Sequence, residues 1–142
     1  MVSDSTKQCS VLFINPGETR IPHRVMLEGN GFRVTEAREW PDDRAVLDHE
    51  VVIVRVRCPG TAPMLAARLR AKPRFGRRVL IALVPSSVSL EERNGARASG
   101  FDEVLTDCCD GRQLVTRILR RLRTRPEYAC VLPPDHRRSP AA

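Results

Sequence analysis

The sequence lacks a long hydrophobic run, and aromatic residues make up only 4% of it. The longest apolar run, residues 79–84, fits a buried strand and falls well short of the roughly 18 residues that a membrane-spanning helix requires. Residues 1–8 are polar and contain no apolar core of a signal peptide. Because neither export nor membrane insertion is indicated, we expect a cytoplasmic protein with no membrane partner.

Motifs that bind metals or nucleotides are also missing. The five cysteines include no C-x-x-C pair, and the three histidines stand apart from them, so the spacing predicts no metal site and no cofactor. A disulfide between the adjacent Cys108 and Cys109 would be strained, and we expect reduced thiols. Cys58 has no predictable histidine base, and residues 15–18 (NPGE) hold a single glycine where a phosphate loop needs several. The sequence therefore predicts no enzymatic activity.

The chain has 142 residues, 42% of them hydrophobic, which suits one folded domain with a single packed core. Its net charge of +7 is unevenly distributed. Residues 111–142 hold eight arginines and two acidic residues, whereas the rest of the chain is nearly neutral. The basic character therefore belongs to the C-terminal segment.

Short apolar runs alternate with segments of helical spacing along the chain. The runs predict strands over residues 10–14, 32–35, 51–56, 79–84 and 101–106. The helical spacing predicts helices over residues 18–30, 41–47, 62–71, 90–99 and 111–125. Inward positions are expected at Ile21, Val25, Met26, Met64, Leu65 and Leu69, and in the last helix at Leu114, Val115, Ile118, Leu119 and Leu122.

This alternation with short loops predicts an α/β fold, in which five parallel strands form one sheet with helices on both faces. We expect the domain to span residues 9–125, after a flexible tail at residues 1–8. Pro126 ends the last helix, and the proline-containing residues 126–142 are expected to form a mobile tail. Functional groups in such sheets lie at the C-terminal ends of the strands.

Three segments carry a more specific pattern. Residues 27–37 read LEGNGFRVTEA, residues 55–60 read RVRCPG, and residues 98–106 read ASGFDEVLT. In order and on the corresponding elements, they resemble motifs of the receiver domains of bacterial two-component response regulators. The resemblance covers about residues 9–124 and implies the (βα)5, flavodoxin-like topology of that family. It also implies a role in phosphorelay signal transduction.

The chain departs from the family's pattern at the positions that would carry its chemistry. The resemblance places the phosphoacceptor Asp four residues before Pro59, where the sequence has Arg55. It places the acidic pair that binds Mg²⁺ at Asn15 and Pro16, which cannot supply the carboxylate oxygens that this ion needs. The sequence therefore resembles a degenerate receiver, or pseudo-receiver, without a metal site.

The remaining positions of the expected pocket also differ. The switch Thr or Ser of the family corresponds to Val84, unless the register moves and Ser86 or Ser87 takes its place. The family's Lys after the fifth strand corresponds to Asp107. Opposite charges at adjacent strand ends favour an ion pair between Arg55 and Asp107, although Arg55 could instead point to solvent.

Two interpretations of function follow. In the first, the chain is a receiver-like module that signals by protein contact without phosphorylation. The resemblance suggests that its last strand and helix contact a signalling protein or a second copy of the chain. The predicted contact residues are Arg117, Arg120 and Arg121, which lie off the apolar stripe and are expected to be free for an acidic partner. In the alternative, the basic last helix binds a nucleic acid or another polyanion.

Overall fold

The computed structural model describes residues 9–14, 23–72, 74–76, 78–107 and 110–123. Within these ranges, five strands alternate with five helices. The strands are β1 (Ser10–Ile14), β2 (Arg33–Ala37), β3 (Val51–Arg55), β4 (Val79–Val84) and β5 (Glu103–Thr106). The helices are α1 (His23–Gly29), α2 (Asp43–Leu47), α3 (Ala62–Arg70), α4 (Leu90–Ala98) and α5 (Gly111–Leu122). The predicted tails at residues 1–8 and 126–142 lie outside the described residues.

All the strands are parallel and form one sheet in the order β2-β1-β3-β4-β5. This arrangement confirms the predicted fold class. Because the strands run in the same direction, the C-terminal ends of β3, β4 and β5 meet at one edge of the sheet. That edge holds Arg55, Val84 and Asp107.

Two apolar layers cover the sheet, one on each face. One layer joins α1 and α5 to alternate strand residues such as Phe13, Ile53 and Ile81. The other joins α2, α3 and α4 to the intervening residues, such as Leu12 and Val52. Successive side chains of a strand point to opposite faces of the sheet. Because helices cover both faces, every position of a central strand is buried, and the central strands are continuously apolar.

The last helix packs as its sequence predicted. All five residues of its apolar stripe are buried: Leu114, Val115, Ile118, Leu119 and Leu122. The helix begins at Asp110, whose side chain accepts a hydrogen bond from the backbone N–H of Gln113. At Gly111 a Cβ atom would lie 2.6 Å from the Cβ of Met26, so glycine permits the close approach of α1 and α5.

The expected inward positions of two other helices were partly wrong. Val25 is 79% exposed and Met64 is 63% exposed, and Met26 is only partly covered. In α1 the sheet is contacted by the pair His23 and Leu27, which lie one turn apart on the face opposite Val25. In α3 the inward residues are Ala62, Ala66 and Leu69, with Leu65 at the margin of the layer. Ile21 lies outside the described residues.

In both helices the inward face combines a leucine with polar or small side chains, His23 in α1 and Ala62 and Ala66 in α3, to which the apolar spacing gave no weight. None of the described helices is long and apolar enough to cross a membrane.

Candidate functional site

The ends of β3 and β5 bring opposite charges together across the C-terminal edge of β4. Arg55 is the last residue of β3, and its Nη2 atom lies 3.6 Å from Oδ2 of Asp107, which follows β5. The backbone fixes both positions, because the N–H of Val56 donates to the carbonyl of Leu83 and that of Asp107 donates to the carbonyl of Val84, each at 2.7 Å. The predicted ion pair between Arg55 and Asp107 is therefore confirmed.

This pair is partly exposed, with 30% of the Arg55 side chain and 26% of the Asp107 side chain accessible. A guanidinium group has no carboxylate oxygen and always carries a positive charge, so it can neither form an acyl phosphate nor bind a cation. Among the described residues, no group of three or more His, Cys, Asp or Glu side chains is placed to hold a metal ion. Asn15 and Pro16 lie outside the described residues.

At the end of β4, the polar groups at this edge belong to the backbone and not to side chains. Val84 is almost fully buried and apolar, and its carbonyl oxygen accepts the hydrogen bond from Asp107. Ser86 and Ser87 lie exposed in the turn after β4, where the N–H of Val88 donates to the carbonyl of Pro85. β4 ends at Val84, as the sequence predicted.

The arginines of α5 are placed differently from the expectation. Glu103 of β5 is buried, with only 6% of its side chain exposed, and Arg117 and Arg121 hold its two carboxylate oxygens at 3.0 and 2.8 Å. Arg121 also donates to the carbonyl of Asp102 at 2.6 Å. The expectation that Arg117 and Arg121 are free for a partner is therefore wrong, because a buried carboxylate requires their charges. Arg120 is exposed, as predicted.

A groove between α4 and α5, with β5 as its floor, was not predicted from the sequence. It encloses about 490 Å³, and arginines from both helices line it. The described lining residues are Arg93, Arg97, Val104, Leu105, Thr106, Asp110, Arg112, Gln113, Thr116 and Arg117. The sequence feature that could have predicted this basic groove is the spacing of Arg93 and Arg97, which lie four residues apart and therefore share one face of α4.

Comparison with known proteins supports the fold assignment. No protein-family model and no curated protein matches the sequence. Among solved structures, the chain is similar to the chemotaxis response regulator CheY4 of Vibrio cholerae, with a TM-score of 0.66, 19% identity, and coverage of 82% of this chain and 100% of that chain.

Two further structures show the same similarity. An atypical orphan response regulator, described as having a phosphorylation-independent regulatory mechanism, matches with a TM-score of 0.64 and 23% identity over 80% of this chain and 95% of its own. The receiver domain of the sensor histidine kinase PA1611 from Pseudomonas aeruginosa, solved with a magnesium ion in its active-site cleft, matches with a TM-score of 0.58 and 18% identity over 80% of this chain and 97% of its own. The chain therefore has the fold of response-regulator receiver domains.

Proposed function

We propose that this chain is a receiver-like module of two-component signalling that acts by protein contact and without phosphorylation. The observation that carries the proposal is the ion pair between Arg55 and Asp107. A cation stands at the strand end where the resemblance places the phosphoacceptor, and a carboxylate stands where it places the lysine. The two charges satisfy each other directly, so the site needs no metal or phosphoryl group to balance it.

The sequence at the other strand end supports the same proposal. The resemblance assigns the Mg²⁺-binding acids to positions that Asn15 and Pro16 occupy in this chain. Proline supplies no side-chain ligand, and a single amide oxygen is a poor substitute for two carboxylates. The similar orphan regulator, which is described as phosphorylation-independent, is a precedent for this type of control. We propose no catalytic activity for the chain.

The direct test is incubation of the purified chain with acetyl phosphate and Mg²⁺, followed by intact-mass spectrometry under conditions that preserve acyl phosphates. Because Arg55 has no nucleophilic oxygen, we expect no mass increase corresponding to a phosphoryl group. A receiver domain with its acceptor aspartate intact, treated in parallel, must show that adduct. A stoichiometric, acid-labile adduct on an Asp or Glu of this chain would contradict the proposal.

Contact with another protein is the mode of action that this fold leaves open when the phosphorylation switch is absent. The face made by β5 and α5 was predicted for that role, and Arg120 remains exposed on it. The basic helix alone is weak support for nucleic-acid binding, since Glu103 already engages two of its arginines. We therefore favour a protein partner over a polyanion.

A further inference from the structure

A second groove lies between α2 and α3, on the side of the sheet that faces away from α5. Its volume of about 570 Å³ is in the range of sites that bind small molecules. The described lining comes from the segment after β2, from α2, and from α3 with the residues that follow it: Trp40, Pro41, Asp42, Asp43, Arg44, Arg68 and Lys72. Trp40 is the only tryptophan in the chain. We refer to this cavity as the Trp40 groove.

The indole N–H of Trp40 has no acceptor in the described part of the chain. The ring packs at the margin of the apolar layer that α2, α3 and α4 form with the sheet, and its Nε1 atom is buried there without a hydrogen-bond partner. A buried indole N–H usually donates to an acceptor, because leaving it unpaired is unfavourable. A ligand that brings an oxygen atom to the edge of the ring would supply the missing acceptor.

The guanidinium group of Arg68 lies over the ring of Trp40. Its Cζ atom is 4.7 Å from the ring centroid. Arg68 is exposed, and no carboxylate among the residues that the structure describes forms an ion pair with it. A cation–π contact at an exposed site is weak, so Arg68 can rotate off the ring at little cost. The face of the ring would then be open to a planar ligand.

The charges of the Trp40 groove favour an anion, although two of its residues are acidic. Asp42 accepts a hydrogen bond from a backbone N–H in the first turn of α2, and Asp43 forms an ion pair with Lys72. Within the described ranges, no carboxylate pairs with Arg44 or Arg68. The acidic groups therefore have partners inside the protein, and two guanidinium groups beside an aromatic ring remain for a ligand.

A nucleotide combines the two chemical properties that this groove selects, a planar ring system and a negative charge. Proteins hold unpaired bases by stacking them on aromatic rings, and arginine is well suited to bind phosphate groups. A nucleic-acid strand uses a series of aromatic side chains for its successive bases, whereas the described lining of the groove offers one. An acidic peptide would pair with the arginines but would leave the ring of Trp40 unused. The groove therefore fits a single nucleotide.

We propose that the Trp40 groove binds a mononucleotide, whose base stacks on the indole ring and whose phosphate pairs with Arg44 and Arg68. Arg68 leaves the ring when the base binds and turns towards the phosphate. An oxygen of the sugar or of the phosphate accepts the hydrogen bond from Nε1 of Trp40. The inference goes beyond the proposed function, because it gives the module a small-molecule ligand at a site separate from the strand ends that hold Arg55 and Asp107.

The single tryptophan reports binding without a label, because a base stacked on the indole ring quenches its fluorescence. The full chain is titrated with the monophosphates of adenosine, guanosine, cytidine and uridine, and calorimetry measures each affinity independently. We expect saturable quenching by at least one of them. The matching nucleoside lacks the phosphate and ribose 5-phosphate lacks the base, so each should bind at least about tenfold more weakly than the complete nucleotide.

Two matched variants test the arginines. R44A/R68A alters exposed positions, so it should fold normally and bind the nucleotide at least about tenfold more weakly, because the phosphate loses both charge-assisted contacts. R120A/R123A makes the same change in net charge at exposed positions of α5 and its end, on the other side of the sheet. We expect its affinity to stay within about twofold of the unaltered chain, since distant charges are screened.

Several outcomes would overturn the inference. They are the absence of saturable quenching by any of the monophosphates and an equal loss of affinity in the two arginine variants. Inorganic phosphate that binds as tightly as the nucleotide would show an anion site in which no base is stacked, and it would also contradict the proposal. Tighter binding of a single-stranded oligonucleotide would assign the groove to nucleic acid instead. None of these results affects the test with acetyl phosphate, which concerns the strand ends.

Discussion

At the scale of single residues, two opposite charges meet at the C-terminal edge of the sheet. Arg55 occupies the end of β3, and its partner Asp107 follows β5 at 3.6 Å. Both side chains are about one-quarter to one-third exposed, so solvent screens their attraction and the pair contributes modestly to stability. The main effect of the pair is on the chemistry of the strand ends, because Arg55 places a positive charge there and Asp107 neutralises it.

At this scale we predict that restoring one residue does not restore a phosphorylation switch. R55D places a carboxylate near Asp107, where the two like charges repel each other without a metal ion or lysine to compensate. We expect a loss of about 1 kcal/mol in the free energy of unfolding, measured by urea denaturation, and no Mg²⁺-dependent labelling by acetyl phosphate.

R38D is the matched control, since Arg38 is exposed and should tolerate the same substitution within about 0.5 kcal/mol. Efficient labelling of R55D in the presence of Mg²⁺ would show that the metal site has been placed wrongly.

At the scale of elements, α5 combines two tasks that its sequence alone does not separate. Its apolar stripe covers one face of the sheet. Two of its arginines turn towards β5, where Arg117 and Arg121 hold the buried carboxylate of Glu103. The helix is therefore joined to the edge strand by charge as well as by apolar packing.

This pairing predicts that arginines on the same helix differ sharply in their effect on folding. R117E/R121E would leave the buried Glu103 carboxylate next to two like charges, and we expect a loss of about 2 to 4 kcal/mol in unfolding free energy. R120E/R123E makes the same change in net charge at exposed positions and should cost less than about 1 kcal/mol. Urea denaturation followed by circular dichroism compares the two, and equal midpoints would refute the role assigned to Glu103.

For the whole molecule, the sheet depends on being covered on both faces. One apolar layer consists of α1, α5 and half of the strand residues, and α5 contributes five of its buried side chains. No other described helix could replace α5 on that face, because α2, α3 and α4 belong to the opposite layer. The sheet therefore needs α5 to complete one of its two apolar layers.

A chain that ends at Asp110 should therefore fail to fold. Removal of α5 would expose the apolar strand residues beneath it and leave Glu103 without its two cations. We expect loss of the cooperative urea transition and of dispersed NMR signals. A chain that ends at Arg125, where the predicted domain ends, keeps α5 and should unfold with the midpoint of the full chain. A cooperative transition in the shorter chain would show that the sheet is stable without this layer.

The sequence by itself determined the order of elements and the parallel α/β fold, and it placed opposite charges at two strand ends. These follow from local information, namely apolar runs, turn residues and the positions of charges next to predicted strand ends. For Arg55 and Asp107, the sequence indicated one shared edge of the sheet, because parallel strands end at the same edge. The structure shows that the two side chains meet across β4, which lies between β3 and β5.

Only the tertiary structure decided which side chains of α1 and α3 face inward and which charges of α5 are already paired. Val25 and Met64 lie outward because the sheet contacts the opposite faces of the same helices, about half a turn away, through residues such as Leu27 in α1 and Ala66 in α3. Glu103 is separated from Arg117 and Arg121 by more than a dozen residues along the chain, and only the packing of α5 against β5 brings them together. Interactions between distant segments depend on orientation and distance in three dimensions, which the spacing of residues along one segment does not encode.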